Sequence, residues 1–171
     1  MIKGGLRMKI GIVVHSMTGN ISLVAERIKN RLEKDGHELF LERLNIIGGE
    51  DQNQSDPEKI GIEPLKTKIE ELDLLILGGP VRGFQASPAM KAFLGKLEGL
   101  DGKDAMIFVT HAFPFNWMGG NSAIKQIRSI CTEKGANVLF TGIIDWKNSK
   151  REIQIDSLAA GVARKASKAA S

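Results

Sequence analysis

The chain has no tyrosine and a single cysteine among its 171 residues. Without a second thiol no internal disulfide forms, and no set of cysteines is present to hold a metal. Cys131 stands on the apolar side of a helical pattern, "AIKQIRSIC", and reads as an inert buried thiol, the habit of free cysteine. A reducing, cytoplasmic setting is consistent with that. No apolar run approaches the roughly 18 residues that a membrane span needs. The opening "MIKGGLR" is too short for a secretory signal and lacks an apolar stretch. It reads as a short leader, residues 1–7, ahead of a second start at Met8. A large charge excess is also missing, since the formal net charge is +4. With no arginine stripe and no aromatic–basic interleaving, nucleic-acid binding is not indicated. The basic tail "ARKASKAAS" reads as the solvated end of a helix. Solenoid repeats and low-complexity tracts are lacking as well.

What is present is ordinary globular composition, with 42% hydrophobic residues. The length suits one domain over residues 8–171, because a second would be left with little core. "MKIGIVVHS" is short, continuous and rich in Ile and Val, which predicts a buried strand. The period then changes. Ile21, Val24, Ala25, Ile28 and Leu32 fall on one helical face, and Gly36 ends that helix. "HELFLERL" alternates as a second strand. Residues 45–64 form a polar connection longer than a compact domain usually carries, and a short helix is expected near 65–71. "DLLILGG" is continuously apolar and so reads as a strand buried on both faces. Ser87 before Pro88 predicts an N-cap followed by proline in the first helical turn. "AMIFVTH" and "NVLFTGIID" are further strands, with a helix between them and another from about residue 150. Strands alternating with helices imply an α/β fold: a parallel sheet covered by helices on both faces.

In such folds ligands sit beyond the carboxyl ends of the strands. The first strand empties into "HSMTGNIS". Free backbone N–H groups and the helix dipole favour an anion there. Ser16, Thr18 and Ser22 add hydroxyls, Asn20 an amide, and Gly19 lets backbone approach closely. Two common phosphate motifs are excluded. No lysine follows a glycine as in a P-loop, and no G-x-G-x-x-G is present. The bland alternative is an ordinary capped turn. The third and fourth strands open into "GGPVRGFQASP" and "THAFPFNWMGGNS". Phe84, Phe113, Phe115 and Trp117 stand at these exits, where flat rings can cover a flat ligand.

These three loops together resemble the flavodoxin-like FMN-binding flavoprotein superfamily over nearly the whole chain. "SMTGN" resembles the S/T-x-T-G-N-T phosphate loop, "GGPVRGFQASPAMKAFL" the second flavin loop with its helix, and "THAFPFNWMGGNSAI" the third. The resemblance implies a three-layer αβα sandwich with a five-stranded parallel sheet in order 2-1-3-4-5. It implies FMN as cofactor, held by Ser16, Met17, Thr18, Gly19, Asn20, Ile21 and Ser22 at the phosphate. It places Pro80, Val81, Arg82, Gly83 and Phe84 at one side of the flavin ring. Thr110, His111, Ala112, Phe113, Pro114, Phe115, Asn116, Trp117, Gly119 and Gly120 fall at the other. Ile21 stands where the motif has threonine, so either Ser22 substitutes or Ile21 anchors the helix. The stacking tyrosine of many flavodoxins has no counterpart here.

The resemblance further implies electron transfer, as a carrier serving a redox partner protein. The alternative is an NAD(P)H-dependent quinone or flavin reductase, with a quinone-like acceptor. A flavin-free interaction domain of the same fold is a more distant reading. A sequence pI of about 9.2 departs from the acidic character of ordinary flavodoxins. The P-x-R of loop two resembles the reductase branch, and Arg82 is either beside the flavin or solvent-facing. Arg82 and His111 are the candidate catalytic groups. His15 reads as packing beneath the phosphate loop, and His37 as exposed. By analogy a homodimer is expected, and no metal.

Overall fold

The computed structural model describes residues 5–113, 115 and 117–171. Lys9–Val14 forms β1, buried at every residue after Lys9. It leads into α1, Asn20–Lys34, whose inner face is Ile21, Val24, Ala25, Ile28 and Leu32. Gly36 then adopts φ 93°, the left-handed turn that releases a chain from a helix. The remaining elements are β2 (Glu38–Arg43), β3 (Leu74–Arg82), β4 (Gln85–Ala86), α2 (Pro88–Lys96), β5 (Asp104–His111), α3 (Gly120–Glu133), β6 (Asn137–Asp145) and α4 (Arg151–Ala169).

The strands lie in the order β2-β1-β3-β5-β6, with β4 hooked antiparallel onto β3. All other pairings are parallel. One apolar layer joins Ile10, Ile12, Leu74, Ile76 and Phe108 to α1 and α4. The other joins Val13, Leu75, Leu77, Ile107 and Val109 to α2 and α3. The sheet is therefore sandwiched, and each fully buried Leu or Ile contributes about 1.5–3 kcal/mol of transfer free energy. Alternation in β2 is real: Leu39 and Leu41 pack on the first layer, Phe40 and Leu44 on the second.

Four expectations need amending. The sheet has six strands, not five, because Gln85–Ala86 folds back on Val81 and Arg82. Counting without that short strand, the order is the expected one. Second, β3 does not stop at Gly79. It continues to Arg82 because Pro80 pairs with Thr110 of β5 after β1 has ended its pairing at Gly78. Proline is tolerated there because the side facing β1 no longer needs a donor. Third, residues 65–71 hold only a 3-10 turn at Ile69–Glu71. The amides of Lys66 and Thr67 are taken by the Glu42 carboxylate instead. Fourth, His37 is not exposed. It is buried, and its Nδ1 accepts the Met8 N–H at 3.2 Å.

The long connection is an ordered hairpin. Ile46 and Ile62 pair antiparallel, Ile47 N–H donates to the Gly61 carbonyl at 2.9 Å, and Ile60 packs on Ala89 and Ala92 of α2. Ser87 caps α2 as its sequence implies, accepting the Met90 N–H at 3.2 Å.

Candidate functional site

The first loop leaves β1 at the carboxyl edge of the sheet. His15 N–H donates to the Gly78 carbonyl at 2.9 Å, so this loop starts against β3. Gly19 turns with φ 88° at the head of α1, and no side chain caps the helix there. Helix geometry leaves the leading N–H groups without intrahelical partners. A Cβ on Gly19 would meet nothing within 4 Å, so the space above the turn is open. Two hydroxyls beside it, Ser16 Oγ and Ser22 Oγ, are buried with no hydrogen-bond partner among the described residues. A buried, unpaired hydroxyl costs roughly 1–3 kcal/mol. Paired with uncapped N–H groups, it marks a place for an acceptor-rich anion. Ile21 is 2% exposed and sits in the core with Val24 and Ile28. It anchors the helix, which leaves Ser22 as the hydroxyl on this turn. Thr18 and Gly19 are exposed, and Met17 and Asn20 half-buried.

The second and third loops meet each other. Phe84 stacks on Phe113 with ring centroids 4.8 Å apart, and Phe115 lies parallel to Trp117 at 6.0 Å. Gly119, at φ 107°, passes so close that a Cβ would stand 2.7 Å from both Phe84 Cα and Val81 Cγ1. Only glycine fits there. Phe84 itself has φ 62°, a left-handed conformation costing a non-glycine residue about 1–2 kcal/mol. Such strain gathers at ligand sites. Phe84, Phe115 and Trp117 remain 50%, 55% and 72% exposed, so an aromatic surface is left uncovered at this edge.

Of the candidate catalytic groups, Arg82 reaches the 45–64 hairpin, where its guanidinium donates to the Gln52 carbonyl at 2.7 Å. His111 is buried and its Nδ1 accepts the Phe113 N–H at 3.2 Å. A Cβ on Gly120 would press on Ile143 Cγ2 at 3.1 Å and only touch His111 Cδ2, at 3.5 Å. The His111 carbonyl accepts the Trp146 N–H at 2.7 Å. Thr110 is buried in β5, Pro80 and Val81 are half-buried in β3, and Gly83 and Ala112 are exposed. Pro114 and Asn116 lie outside the described residues. Cys131 is buried, and burial pushes its thiol up to about 11. Among the described residues no cluster of His, Cys, Asp or Glu is arranged to hold a metal.

Sequence reasoning missed three participants. Arg43, at the end of β2, donates to the Ser16 carbonyl at 2.9 Å. Its signal was a cation breaking an apolar alternation just before the carboxyl edge. Glu50 accepts from His15 Nε2 at 2.7 Å; nothing in "GGEDQN" announced it. Asp145 is buried opposite His111 in the β5–β6 register, at the end of a strand already recognised. His15 does pack beneath the loop, 1% exposed.

A larger cavity, of about 610 Å³, opens at the other end of the sheet between the carboxyl ends of α1 and α4. Arg31, Arg164 and Lys168 line it with His37. Cations there offset the negative ends of the helices, and the cavity touches none of the three loops.

The first loop fits a phosphate monoester by its orphaned hydroxyls and uncapped amides. The uncovered rings nearby fit an attached heterocycle. Residues 8–148 match the family model described as NADPH-dependent FMN reductase. Among solved structures, a flavodoxin, WrbA-like protein from Agrobacterium tumefaciens superposes with TM-score 0.70 at 14% identity, covering 95% of this chain and 97% of that one. Oxidised Flavodoxin 2 from Bacillus cereus gives 0.62 at 21% identity, covering 92% and 99%. A flavoprotein from Lactobacillus acidophilus NCFM, determined in complex with FMN, gives 0.61 at 16%, covering 89% and 99%. At these identities the likeness is one of fold. No curated protein matches the sequence significantly.

Proposed function

The chain belongs to the NADPH-dependent FMN reductase family, and we propose that it is an FMN-dependent reductase, taking electrons from NAD(P)H and passing them to a flat quinone-like or flavin acceptor. The observation that carries the cofactor reading is the pair of orphaned hydroxyls, Ser16 Oγ and Ser22 Oγ, under an uncapped helix start. Their donors, with the amides of residues 18–22, would hold the phosphate. When bound, FMN supplies hydride and electron transfer. The protein's part is placement. Phe84, Phe113, Phe115 and Trp117 offer rings against which flat partners stack and from which water is excluded. His111 is held by the Phe113 amide at Nδ1, within the loop expected at one flavin edge. Arg82 ties the second loop to the Gln52 carbonyl.

A basic chain without tyrosine, with an uncovered aromatic surface, favours the reductase over a carrier that docks by an acidic face. The carrier reading is kept by the flavodoxins among its structural neighbours. On the preferred reading, residues 8–171 act as one domain in the cytoplasm, a second copy covers part of the aromatic edge, and nucleic acid plays no role. No described helix is long and apolar enough to cross a membrane. Stopped-flow mixing of FMN-loaded protein with NADPH and with NADH separates the two. Bleaching of the flavin within seconds, followed by turnover with a quinone, is expected. Bleaching only by dithionite, at no appreciable rate with either nicotinamide, would leave the carrier.

A further inference from the structure

The 45–64 hairpin touches both loops that flank the cofactor position. Just before it, Arg43 at the end of β2 donates to the Ser16 carbonyl at 2.9 Å. Farther along, Glu50 accepts from His15 Nε2 at 2.7 Å, and the Gln52 carbonyl accepts from Arg82 of the second loop at 2.7 Å. His15 and Ser16 are consecutive, and Ser16 carries one of the orphaned hydroxyls. His15 is 1% exposed and is also held at its other nitrogen, where Nδ1 stands 2.9 Å from Ser87 Oγ. The Glu50 carboxylate can only accept, so Nε2 carries the proton, and in a neutral imidazole Nδ1 is left to accept the Ser87 hydroxyl proton, while Ser87 Oγ accepts the Met90 N–H. His15 thus donates through Nε2 to Glu50. A continuous chain of donors thus runs from α2 through Ser87 and His15 to the hairpin.

From this we infer that the hairpin is a brace for the cofactor loops and that Glu50 is a positioning residue, setting the phosphate loop through His15. Coupling of this kind is reciprocal: a seated hairpin preorganises the loop, and an occupied loop steadies the hairpin. The inference rests on the FMN reading for its ligand, but the brace itself shows in the apoprotein. Glu50 is partly exposed, its side chain 38% accessible, and lies outside both apolar layers, so its replacement leaves the core intact.

The test compares wild type, Glu50→Ala and Glu50→Gln, each first shown to melt alike. In apoproteins, hydrogen exchange is read at the His15 amide, which donates to Gly78, and at Ile47, which donates to Gly61. Glu50→Ala is expected to speed both about tenfold, and Glu50→Gln, which keeps an acceptor for Nε2–H, by less than about threefold. FMN affinity, read by quenching of flavin fluorescence, is expected to fall about tenfold in Glu50→Ala alone. FMN should slow exchange at Ile47 in wild type and not in Glu50→Ala. Unchanged exchange at His15 in Glu50→Ala overturns the brace, as does an unchanged FMN affinity. If wild type takes up no FMN while the apoprotein exchange result holds, the cofactor reading fails and the brace stands.

Discussion

Two adjacent glycines at the centre of β3 make opposite predictions. A Cβ built on Gly78 would stand 2.5 and 2.7 Å from Phe108 Cε1 and Cε2, and closer still to Cζ. Phe108 is 1% exposed, locked in the layer beneath α1 and α4, so its ring has no solvent to swing into. Overpacking of this kind costs about 1–3 kcal/mol, and a rigid ring places Gly78→Ala at the upper end, about 2–3 kcal/mol. For a chain of this size each kcal/mol lowers the melting temperature by roughly 2–4 °C, giving a fall of about 5–10 °C. Gly79 differs: its Cβ would lie 3.7 Å from Ser87 Oγ and 3.8 Å from Met90 Cβ, ordinary contacts. Gly79→Ala is therefore expected to be neutral or slightly stabilising, because alanine narrows the unfolded ensemble. The penalty at Gly78 has a functional echo, since its carbonyl receives the His15 amide at the root of the phosphate loop. Calorimetry on both variants and on Gly78→Ala/Phe108→Leu tests the steric reasoning. The double variant should recover more than about 0.5 kcal/mol relative to additivity. A Gly78→Ala protein that melts with wild type, or one whose loss Phe108→Leu fails to relieve, refutes it.

Removing the Ser16 hydroxyl has opposite effects on stability and binding: Ser16→Ala should leave the apoprotein as stable or slightly more so, because Ser16 Oγ is orphaned, yet weaken FMN about tenfold or more, the loss of a hydrogen bond to a charged group. Denaturant melts and FMN titration check the pair. Burial raises the Cys131 thiol to about 11, so a thiol reagent at pH 8 should label it only after unfolding; rapid labelling of native protein would place it elsewhere. Burial alone would raise the Glu42 carboxyl, but its bonds to Thr67 and Lys66 and the Lys66 charge outweigh that and lower it. Its folded value is thus below its unfolded one, so its stabilisation is full above the unfolded value and lost as pH falls through the folded one. Denaturant melts from pH 7 to pH 3 should show Glu42→Gln about 1 kcal/mol less stable at neutrality, the gap closing in acid.

How much was legible followed from how local each signal was. The buried strands and the inner faces of the helices were readable because burial imposes periodicity on a few consecutive residues, as in Ile21, Val24, Ile28 and Leu32. The cap at Ser87 was readable because its donor lies three residues on. Two of the failures were non-local. The helix expected near 65–71 was lost to Glu42, 24 and 25 positions away from the amides it captures. His37 was taken for a surface residue because its partner, Met8, lies 29 positions away, just before β1.

The same distinction separates the proposed phosphate loop, a run of consecutive residues, from its supports. A cradle for a dianion is built from consecutive amides and hydroxyls, so "SMTGNIS" carries it whole. Holding that cradle still in an unliganded protein is a different task. Its own turn offers no side-chain cap, and on the proposed reading a cap would stand where the phosphate goes. The restraint must come from outside, on atoms the ligand does not use: the Ser16 carbonyl by Arg43, the His15 ring by Glu50 and Ser87. Those partners are set by the path of the chain and leave no local pattern. The long polar connection, surplus by the standards of loop length, carries one of these supports, Glu50.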